Sequence, residues 1–237
     1  MPAAVSEHIK DLYSKFYGNA RESEWRRLGA MDKVANLTTL ASQVPHSSVL
    51  EVGAGDGAIL RRLDQVGFGE ELYGLEISES GVDEIRKKAI PRLAEVQIFD
   101  GYRIPYADKR FDLVVLSHVV EHVEHPRMLL YESARVARHV FVEVPLEDHA
   151  RMAKDFVLDF VGHVNFYSPV TIRKLVQSCG FEVLEQRVIH GSKAGYVFQK
   201  GTRGALNYYI KEGLLRVAPR LATWFFTFNS ALLCKPK

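Results

Sequence analysis

Three glycines separate an apolar run from a helical pattern and define the first candidate binding element. Gly53, Gly55 and Gly57 follow the strand-like run Ser48–Val52, and helical spacing resumes at Ala58. A glycine turn at this place lets a ligand approach the backbone and the free N–H groups of the next helix. The turn therefore predicts a nucleotide-like ligand, although its spacing also fits the looser dinucleotide fingerprint.

Acidic residues at the ends of three successive predicted strands narrow the choice of ligand. Glu76 lies 19 positions after Gly57, where a carboxylate can accept both hydroxyls of a ribose, as in dinucleotide sites. Glu51 lies on the first strand itself and would repel a pyrophosphate. Asp100 ends the third strand and can accept from the amine of an adenine. Together the three acids favour a cationic nucleoside over a dinucleotide.

A group of ionisable residues follows the most apolar predicted strand. The segment Ser117–Pro126 contains His118, Glu121 and His122, and the spacing HxxEH matches the inverted zinc-peptidase motif. That motif needs a continuous helix, whereas this segment follows a buried strand and is interrupted by proline. We therefore expect no metal ligand here. An imidazole near neutrality can take a proton, so Glu121 and His122 are candidate general bases; alternatively Glu121 caps or pairs within a local helix.

A second polar segment, Gly162–Pro169, precedes a predicted helix and contains His163. His163 is the other candidate base. The alternative is a structural histidine whose ring bonds a neighbouring loop carbonyl. Substitution of His122 and His163 separately distinguishes these roles.

Strand and helix patterns alternate along most of the chain. Such βα units predict a doubly wound, mostly parallel seven-stranded sheet with helices on both faces, because right-handed crossovers return each strand beside its predecessor. The run Phe111–Leu116 is expected to be central. The predicted strands are 48–52, 72–76, 95–99, 111–116, 139–144, 181–189 and 229–235, and the predicted helices are 5–44, 58–63, 80–89, 127–137 and 169–179.

We expect one domain over residues 1–237, comprising an N-terminal helical cap (1–44), a ligand-binding core (45–145) and a substrate-side half (146–237) with a helical insertion at about 201–226. Hydrophobic residues make up 47% of the chain and its net charge is only +2, which does not favour nucleic-acid binding. The start lacks the pattern of a secretory signal, and the two cysteines are far apart, so we expect a cytoplasmic protein with reduced thiols.

The C-terminal segment differs from the rest in charge and aromatic content. From Lys200 onward the chain has seven Lys or Arg residues and one acidic residue, Glu212. The net charge of this segment is therefore +6, and that of the remainder is −4. Its apolar residues suit a lid over the substrate, a dimer face, a surface helix on anionic lipid, or packing against the sheet. Pro219 is expected to break the helix. The charge favours an anionic or membrane-attached acceptor.

Residues 47 to about 145 resemble the class I S-adenosylmethionine-dependent methyltransferases, in particular the branch that acts on small molecules. The resemblance is carried by the order and spacing of four motifs: Val49–Gly57, Tyr73–Ser78, Phe99–Gly101 with Ile104–Tyr106, and Phe111–Ser117. It implies an enzyme that uses S-adenosyl-L-methionine and methylates an oxygen or nitrogen atom of a small molecule, such as a sugar, a phosphate-bearing or a lipid-linked acceptor.

The resemblance also implies roles for individual residues. The glycine turn lies along the methionine moiety, Glu76 binds ribose, and Asp100 with Gly101 flanks adenine. Arg26, in the sequence Trp25-Arg26-Arg27, pairs with the cofactor carboxylate, or else belongs to a solvated helix face. The remaining predicted cofactor contacts are Glu51, Ile77, Ser117 and His118. An NAD(P)-dependent oxidoreductase is the main alternative, although it gives no reason for Glu51 and Asp100; a zinc peptidase and a non-catalytic protein of this fold are the others.

Overall fold

The computed structural model describes residues 20–153, 155 and 162–237, with positions 20–22 described by their backbone only. Within this part the N-terminal region is one helix, α1, from Ala20 to Ala41. The part of the predicted helical region that precedes residue 20 lies outside the described residues. None of the helices described has the length and apolar character needed to cross a membrane.

Seven strands and six further helices follow α1 in the alternation that the sequence predicts. Most predicted boundaries agree within one to three residues, and the first and sixth strands agree at both ends. The strands are β1 Ser48–Val52, β2 Glu71–Glu76, β3 Leu93–Ile98, β4 Phe111–Ser117, β5 Ala137–Leu146, β6 Phe181–Ile189 and β7 Phe228–Pro236. The helices are α2 Ala58–Val66, α3 Glu79–Lys87, α4 Pro126–Val136, α5 Pro169–Ser178, α6 Lys193–Val217 and α7 Pro219–Phe225.

The strands form one sheet in the order β3-β2-β1-β4-β5-β7-β6. The first five are mutually parallel, whereas β7 runs antiparallel to both β5 and β6. The predicted doubly wound, mostly parallel sheet is therefore confirmed. Strand β4 lies at its centre, as its continuous apolar sequence predicts. This order brings the carboxyl ends of β1, β2 and β4 to one edge, where ligands bind in such folds.

Helices cover both faces of the sheet, and β4 shows how the side chains divide. Leu113 and Val115 pack with α1, α2 and α3, whereas Val114 and Leu116 pack with α4 and α5. All four side chains are at most 1% exposed. Burial of each such side chain contributes about 1.5–3 kcal/mol. The division of the chain into cap, core and substrate-side half remains a prediction.

The helix positions agree with the sequence at α4 and need one correction, in the C-terminal insertion. The segment after β4 stays non-helical as far as His125, and α4 begins at Pro126, one residue before the predicted start; proline suits the first turn of a helix because its missing N–H group would have no partner there. The C-terminal insertion begins at Lys193 rather than near 201, and α6 is kinked at Gly201, whose φ is +57°. The predicted break at Pro219 is confirmed, since α7 begins there.

Candidate functional site

The glycine turn after β1 is held against the end of β2 by backbone hydrogen bonds. The N–H groups of Gly53 and Ala54 donate to the carbonyl oxygen of Leu75 at 2.8 and 2.9 Å. Gly53 has a φ of +73°, and a Cβ atom at this position would lie 2.7 Å from the side chain of Val119. The turn therefore requires glycine both for its backbone conformation and for the close approach of the loop after β4.

Glu76 stabilises this turn through hydrogen bonds. Its carboxylate accepts from the N–H of Gly55 at 2.9 Å and from the N–H and hydroxyl groups of Ser78 at 3.1 and 2.9 Å. The residue is 3% exposed. Burial raises the pKa of Glu76, and the hydrogen bonds from Gly55 and Ser78 oppose that rise. Glu76 thus links the glycine turn to the start of α3.

A cavity of about 290 Å³ opens above the turn, between α1 and the ends of β1 and β4. Six of the residues predicted to contact the cofactor line it. They are Arg26, Glu51, Gly53, Gly55, Ser117 and His118.

The other predicted cofactor residues lie outside this cavity. Gly57 precedes α2, Glu76 lies beneath the turn, and Ile77 packs on the core. Asp100 borders a separate surface groove of about 730 Å³, and its Oδ1 accepts from the N–H groups of residues 102 and 103. Gly101 follows it with a φ of +96°.

Glu51 is a buried carboxylate at the wall of this cavity. It is 2% exposed, and among the described residues its Oε2 atom has no hydrogen-bond partner. Burial raises the pKa of Glu51 well above its ordinary value, although the ammonium of Lys33 opposes this. A buried carboxylate oxygen without a donor is stabilised by a cationic ligand. The site therefore fits a ligand that carries an ammonium group.

Arg26 enters the cavity from α1. Its Nε atom lies 3.1 Å from Oδ2 of Asp56, and Nζ of Lys88 lies 3.4 Å from the same oxygen. The ion pair places the guanidinium beside the glycine turn, so Arg26 belongs to the site rather than to a solvated helix face.

His118 connects the cavity with a second group of polar side chains. Its φ of +57° is strained for a residue with a Cβ atom, and its N–H donates to the carbonyl oxygen of Glu143 at 2.8 Å. Its Nδ1 lies 3.3 Å from Glu121 and its Nε2 lies 3.5 Å from the carboxylate of Glu143. Burial and Lys33 lower the pKa of His118, but the two carboxylates outweigh them and raise it overall.

Glu121, His122 and His163 form what we call the histidine–glutamate cluster: one potential ligand atom from each lies within 4.8 Å of the others. The ring centroids of the two histidines are 4.7 Å apart. Nδ1 of His122 lies 3.2 Å from the carbonyl oxygen of Gly162, and Nδ1 of His163 lies 2.7 Å from Glu147. Burial lowers the pKa of His122, and the carboxylate of Glu121 only partly opposes this, so its imidazole is neutral.

Asn165 holds together the two segments that form this cluster. Its amide group donates to the carbonyl oxygen of Val123 at 2.7 Å. The N–H groups of Val164 and Asn165 donate to the carbonyl oxygen of Glu121 at 2.9 and 3.0 Å. The two polar segments singled out in the sequence thus lie side by side, and His122 and His163 share one site.

Four further residues belong to the site and were not singled out in the sequence: Lys33, Asp56, Glu143 and Glu147. Glu143 could have been recognised in the sequence, because it is a charged residue inside the apolar run of β5. In the structure it is 0% exposed. Lys33 is one of several charged residues of α1, and nothing in the sequence distinguished it from the others. The HxxEH residues occupy a turn rather than a helix, so the geometry of a zinc peptidase is not present.

The sheet order and the turn with its buried carboxylate define a doubly wound α/β protein with a site for a cationic nucleoside. The family model described as a methyltransferase domain matches residues 21–186. The chain therefore belongs to this family: it is an S-adenosylmethionine-dependent methyltransferase, and S-adenosyl-L-methionine is its cofactor. The oxidoreductase and peptidase alternatives receive no support.

Individual relatives are distant. The protein MJ1123 of Methanocaldococcus jannaschii is 24% identical over 187 residues, which cover 74% of this chain and 82% of that protein. The ubiquinone/menaquinone biosynthesis C-methyltransferase UbiE of Cupriavidus necator is 29% identical over 117 residues, or 46% of this chain and 47% of that enzyme. The match thus spans about half of UbiE.

Among solved structures, the fold is similar to that of phosphoethanolamine N-methyltransferase 2 of Haemonchus contortus in complex with phosphomonomethylethanolamine and S-adenosylhomocysteine. The TM-score is 0.66 at 14% identity, covering 100% of this chain and 62% of that one. At this identity the similarity shows the fold.

Proposed function

We propose that this enzyme transfers the methyl group to an oxygen or nitrogen atom of a small molecule, with the histidine–glutamate cluster facing the acceptor. The observation that carries this proposal is the 3.3 Å contact between Nδ1 of His118, which lines the cofactor cavity, and Oε1 of Glu121 in the cluster. Because His118 lines the cavity and contacts the cluster, an acceptor beside the cluster would lie next to the cofactor.

Methyl transfer requires that the acceptor lone pair be available. The cofactor supplies a methyl group on a sulfonium; the C–S electron pair stays on sulfur as the acceptor lone pair forms the new bond. The acceptor loses a proton, and we assign its uptake to Nε2 of His122 or of His163, with Glu121 as the third candidate base. In-line alignment supplies much of the remaining rate enhancement.

We propose the following cofactor contacts. Glu51 binds the ammonium group, Arg26 the carboxylate and Glu76 the ribose hydroxyls, while Asp100 and Gly101 flank the adenine. The remaining contacts come from the backbone of the turn and the walls of the site: Gly53, Gly55, Gly57, Ile77, Ser117 and His118.

The test is incubation with methyl-labelled cofactor and fractionated cell extract, followed by mass and NMR identification of the product. The chemical shift of the labelled methyl group distinguishes O-, N- and C-methylation, and a carbon acceptor would contradict the proposal. His122→Gln and His163→Gln are expected to lower turnover, whereas His125→Gln, an exposed histidine of the same segment, is not. Unchanged rates in both variants would remove the two imidazoles as bases.

We further propose that the acceptor is anionic or lipid-linked and that α6 and α7 contact an anionic bilayer. Large apolar side chains on these helices, which we call the stripe, are about half exposed or more: Leu206, Tyr209, Ile210, Val217, Leu221, Trp224 and Phe225. Exposed cations accompany the stripe, namely Lys200, Arg203, Arg216 and Arg220. Apolar residues beside cations suit the surface of an anionic membrane.

Other residues of the same segment pack inward. Lys211 donates to the carbonyl oxygen of Thr227 at 2.7 Å, and burial lowers its pKa to about 8. Ala222 is 0% exposed and packs with Leu146 and Phe228. One side of the segment thus packs on the sheet while the stripe faces outward. As part of the same proposal the enzyme acts at the cytoplasmic face.

Co-sedimentation with phosphatidylglycerol-containing vesicles tests this proposal. Binding is expected at low salt and is expected to weaken as salt rises. Trp224→Ser should reduce binding, whereas Val66→Ser, which removes an exposed apolar side chain from α2, should not. Equal binding of both variants, or no binding of the unaltered protein at low salt, would refute the lipid contact.

A further inference from the structure

The histidine–glutamate cluster has the donor set of a metal site. It offers two imidazoles and one carboxylate, contributed by the loop after β4 and the segment before α5. Ligand atoms about 2.1 Å from a zinc ion lie roughly 3.4 Å from one another. The spread of at most 4.8 Å is therefore about 1.4 Å wider than the arrangement around a bound ion.

Both imidazoles are oriented by a partner on the far side of the ring. A carbonyl oxygen can only accept, so the 3.2 Å contact with Gly162 means that Nδ1 of His122 carries the hydrogen. The 2.7 Å contact with the carboxylate of Glu147 assigns the Nδ1 hydrogen of His163 in the same way. A neutral imidazole whose hydrogen is on Nδ1 has its lone pair on Nε2. A histidine held by a carbonyl or carboxylate at Nδ1 is the usual arrangement around a bound metal.

Glu121 supplies the independent observation. Its side chain is 0% exposed, and among the described residues no group donates a hydrogen bond of good geometry to either carboxylate oxygen. Its nearest basic atoms are Nδ1 of His118 at 3.3 Å and Nε2 of His122 at 3.8 Å. A buried carboxylate without hydrogen bonds is costly unless it is paired closely or coordinates a metal.

We propose that the histidine–glutamate cluster binds one divalent transition-metal ion, of which Zn²⁺ is the best match, through Nε2 of both histidines and the carboxylate of Glu121. Two imidazole nitrogens favour such an ion over Mg²⁺ or Ca²⁺. Three protein ligands leave a coordination position for a further group. Glu147 is a positioning residue that orients His163.

The role of this ion rests on the proposed function. At the open position it would act as a Lewis acid toward a hydroxyl of the acceptor and lower that hydroxyl's pKa. The Nε2 lone pairs are then used for ligation, so the acceptor proton leaves to water instead of to an imidazole. Metal binding itself does not depend on the identity of the acceptor.

The test uses the chain of residues 1–237 without an affinity tag. After chelator treatment and dialysis, calorimetric titration with Zn²⁺ should give one site per chain. Glu147→Gln should weaken Zn²⁺ binding about 10- to 100-fold, because it removes the partner that orients His163. His122→Gln and His163→Gln each remove a ligand and should weaken Zn²⁺ binding more than that. His125→Gln controls for adventitious binding by an exposed histidine of the same segment and should leave the site unchanged. Circular dichroism of each variant confirms that it is folded.

Wild-type protein that binds Zn²⁺ no more tightly than His163→Gln would overturn the proposal, and that comparison requires no activity. Labelled-methyl transfer in the chelated and Zn²⁺-reconstituted enzyme tests the role of the ion. Transfer restored by Zn²⁺ supports it. Full transfer by metal-free enzyme refutes the Lewis-acid role and leaves the methyltransferase function standing.

Discussion

Replacing Glu51 with glutamine is expected to weaken cofactor binding and at the same time to stabilise the cofactor-free protein. The carboxylate is 2% exposed, and its Oε2 atom lacks a partner within the described residues. Without a cationic ligand this charge is a cost of folding; with the cofactor ammonium beside it, the same charge contributes to affinity. Glutamine keeps the shape of the side chain and removes the charge.

A hydrogen bond between charged groups contributes about 1.5–3 kcal/mol, so Glu51→Gln should weaken cofactor binding about 10- to 150-fold. In the free protein burial raises the pKa of Glu51 above its value in the unfolded chain. At pH values between these two pKa values, the folded state binds more protons than the unfolded state. The free energy of unfolding of the wild type therefore falls as pH rises, by about 1.4 kcal/mol in total for each unit of difference between the two pKa values. The glutamine variant does not lose stability in this way. Its free energy of unfolding should therefore exceed that of the wild type by a margin that grows from pH 5 upward.

Calorimetry with S-adenosylhomocysteine and thermal unfolding of the free protein between pH 5 and 9 measure the two effects. Glu182→Gln, which alters an exposed glutamate on β6, is the matched control and should change neither. Tighter binding at higher pH is expected for the wild type only, because the ammonium favours the ionised carboxylate. Unchanged affinity in Glu51→Gln, or a variant less stable than wild type at pH 8, would refute the reasoning.

Two predictions concern the loops that shape the site. Gly53→Ala should destabilise the protein more than Gly67→Ala: both positions have a positive φ, which costs alanine about 1–2 kcal/mol, but only the first Cβ would meet Val119, at 2.7 Å. Equal losses in thermal unfolding would contradict this steric argument. Asn165→Ala should cost about 1–3 kcal/mol in urea unfolding, because the carbonyl oxygen of Val123 loses a 2.7 Å hydrogen bond. A loss below about 0.5 kcal/mol, the lower end for a typical hydrogen bond, would mean that this bond does not hold the loops together.

The cofactor half of the protein was readable from the sequence because its determinants are local. The β1 run, the glycine turn and the start of α2 occupy adjacent positions from Ser48 to Val66. Strands β2 and β3 end at or near acids, Glu76 and Asp100, and the continuous apolar run of β4 placed that strand at the centre. The order of the last two strands was not readable, because β7 enters between β5 and β6 through contacts far apart along the chain.

Tertiary structure decided which residues form the histidine–glutamate cluster. The sequence presented His122 and His163 as separate candidates 41 positions apart, and only the fold places their rings 4.7 Å from each other. The same packing buries Glu121 beside them and brings Glu147 to the far side of His163. Periodicity and motifs report what neighbouring residues do along the chain, whereas hydrogen bonding and burial depend on which distant segments meet. The sequence therefore determined the cofactor-binding frame, and the three-dimensional structure determined which polar side chains act together.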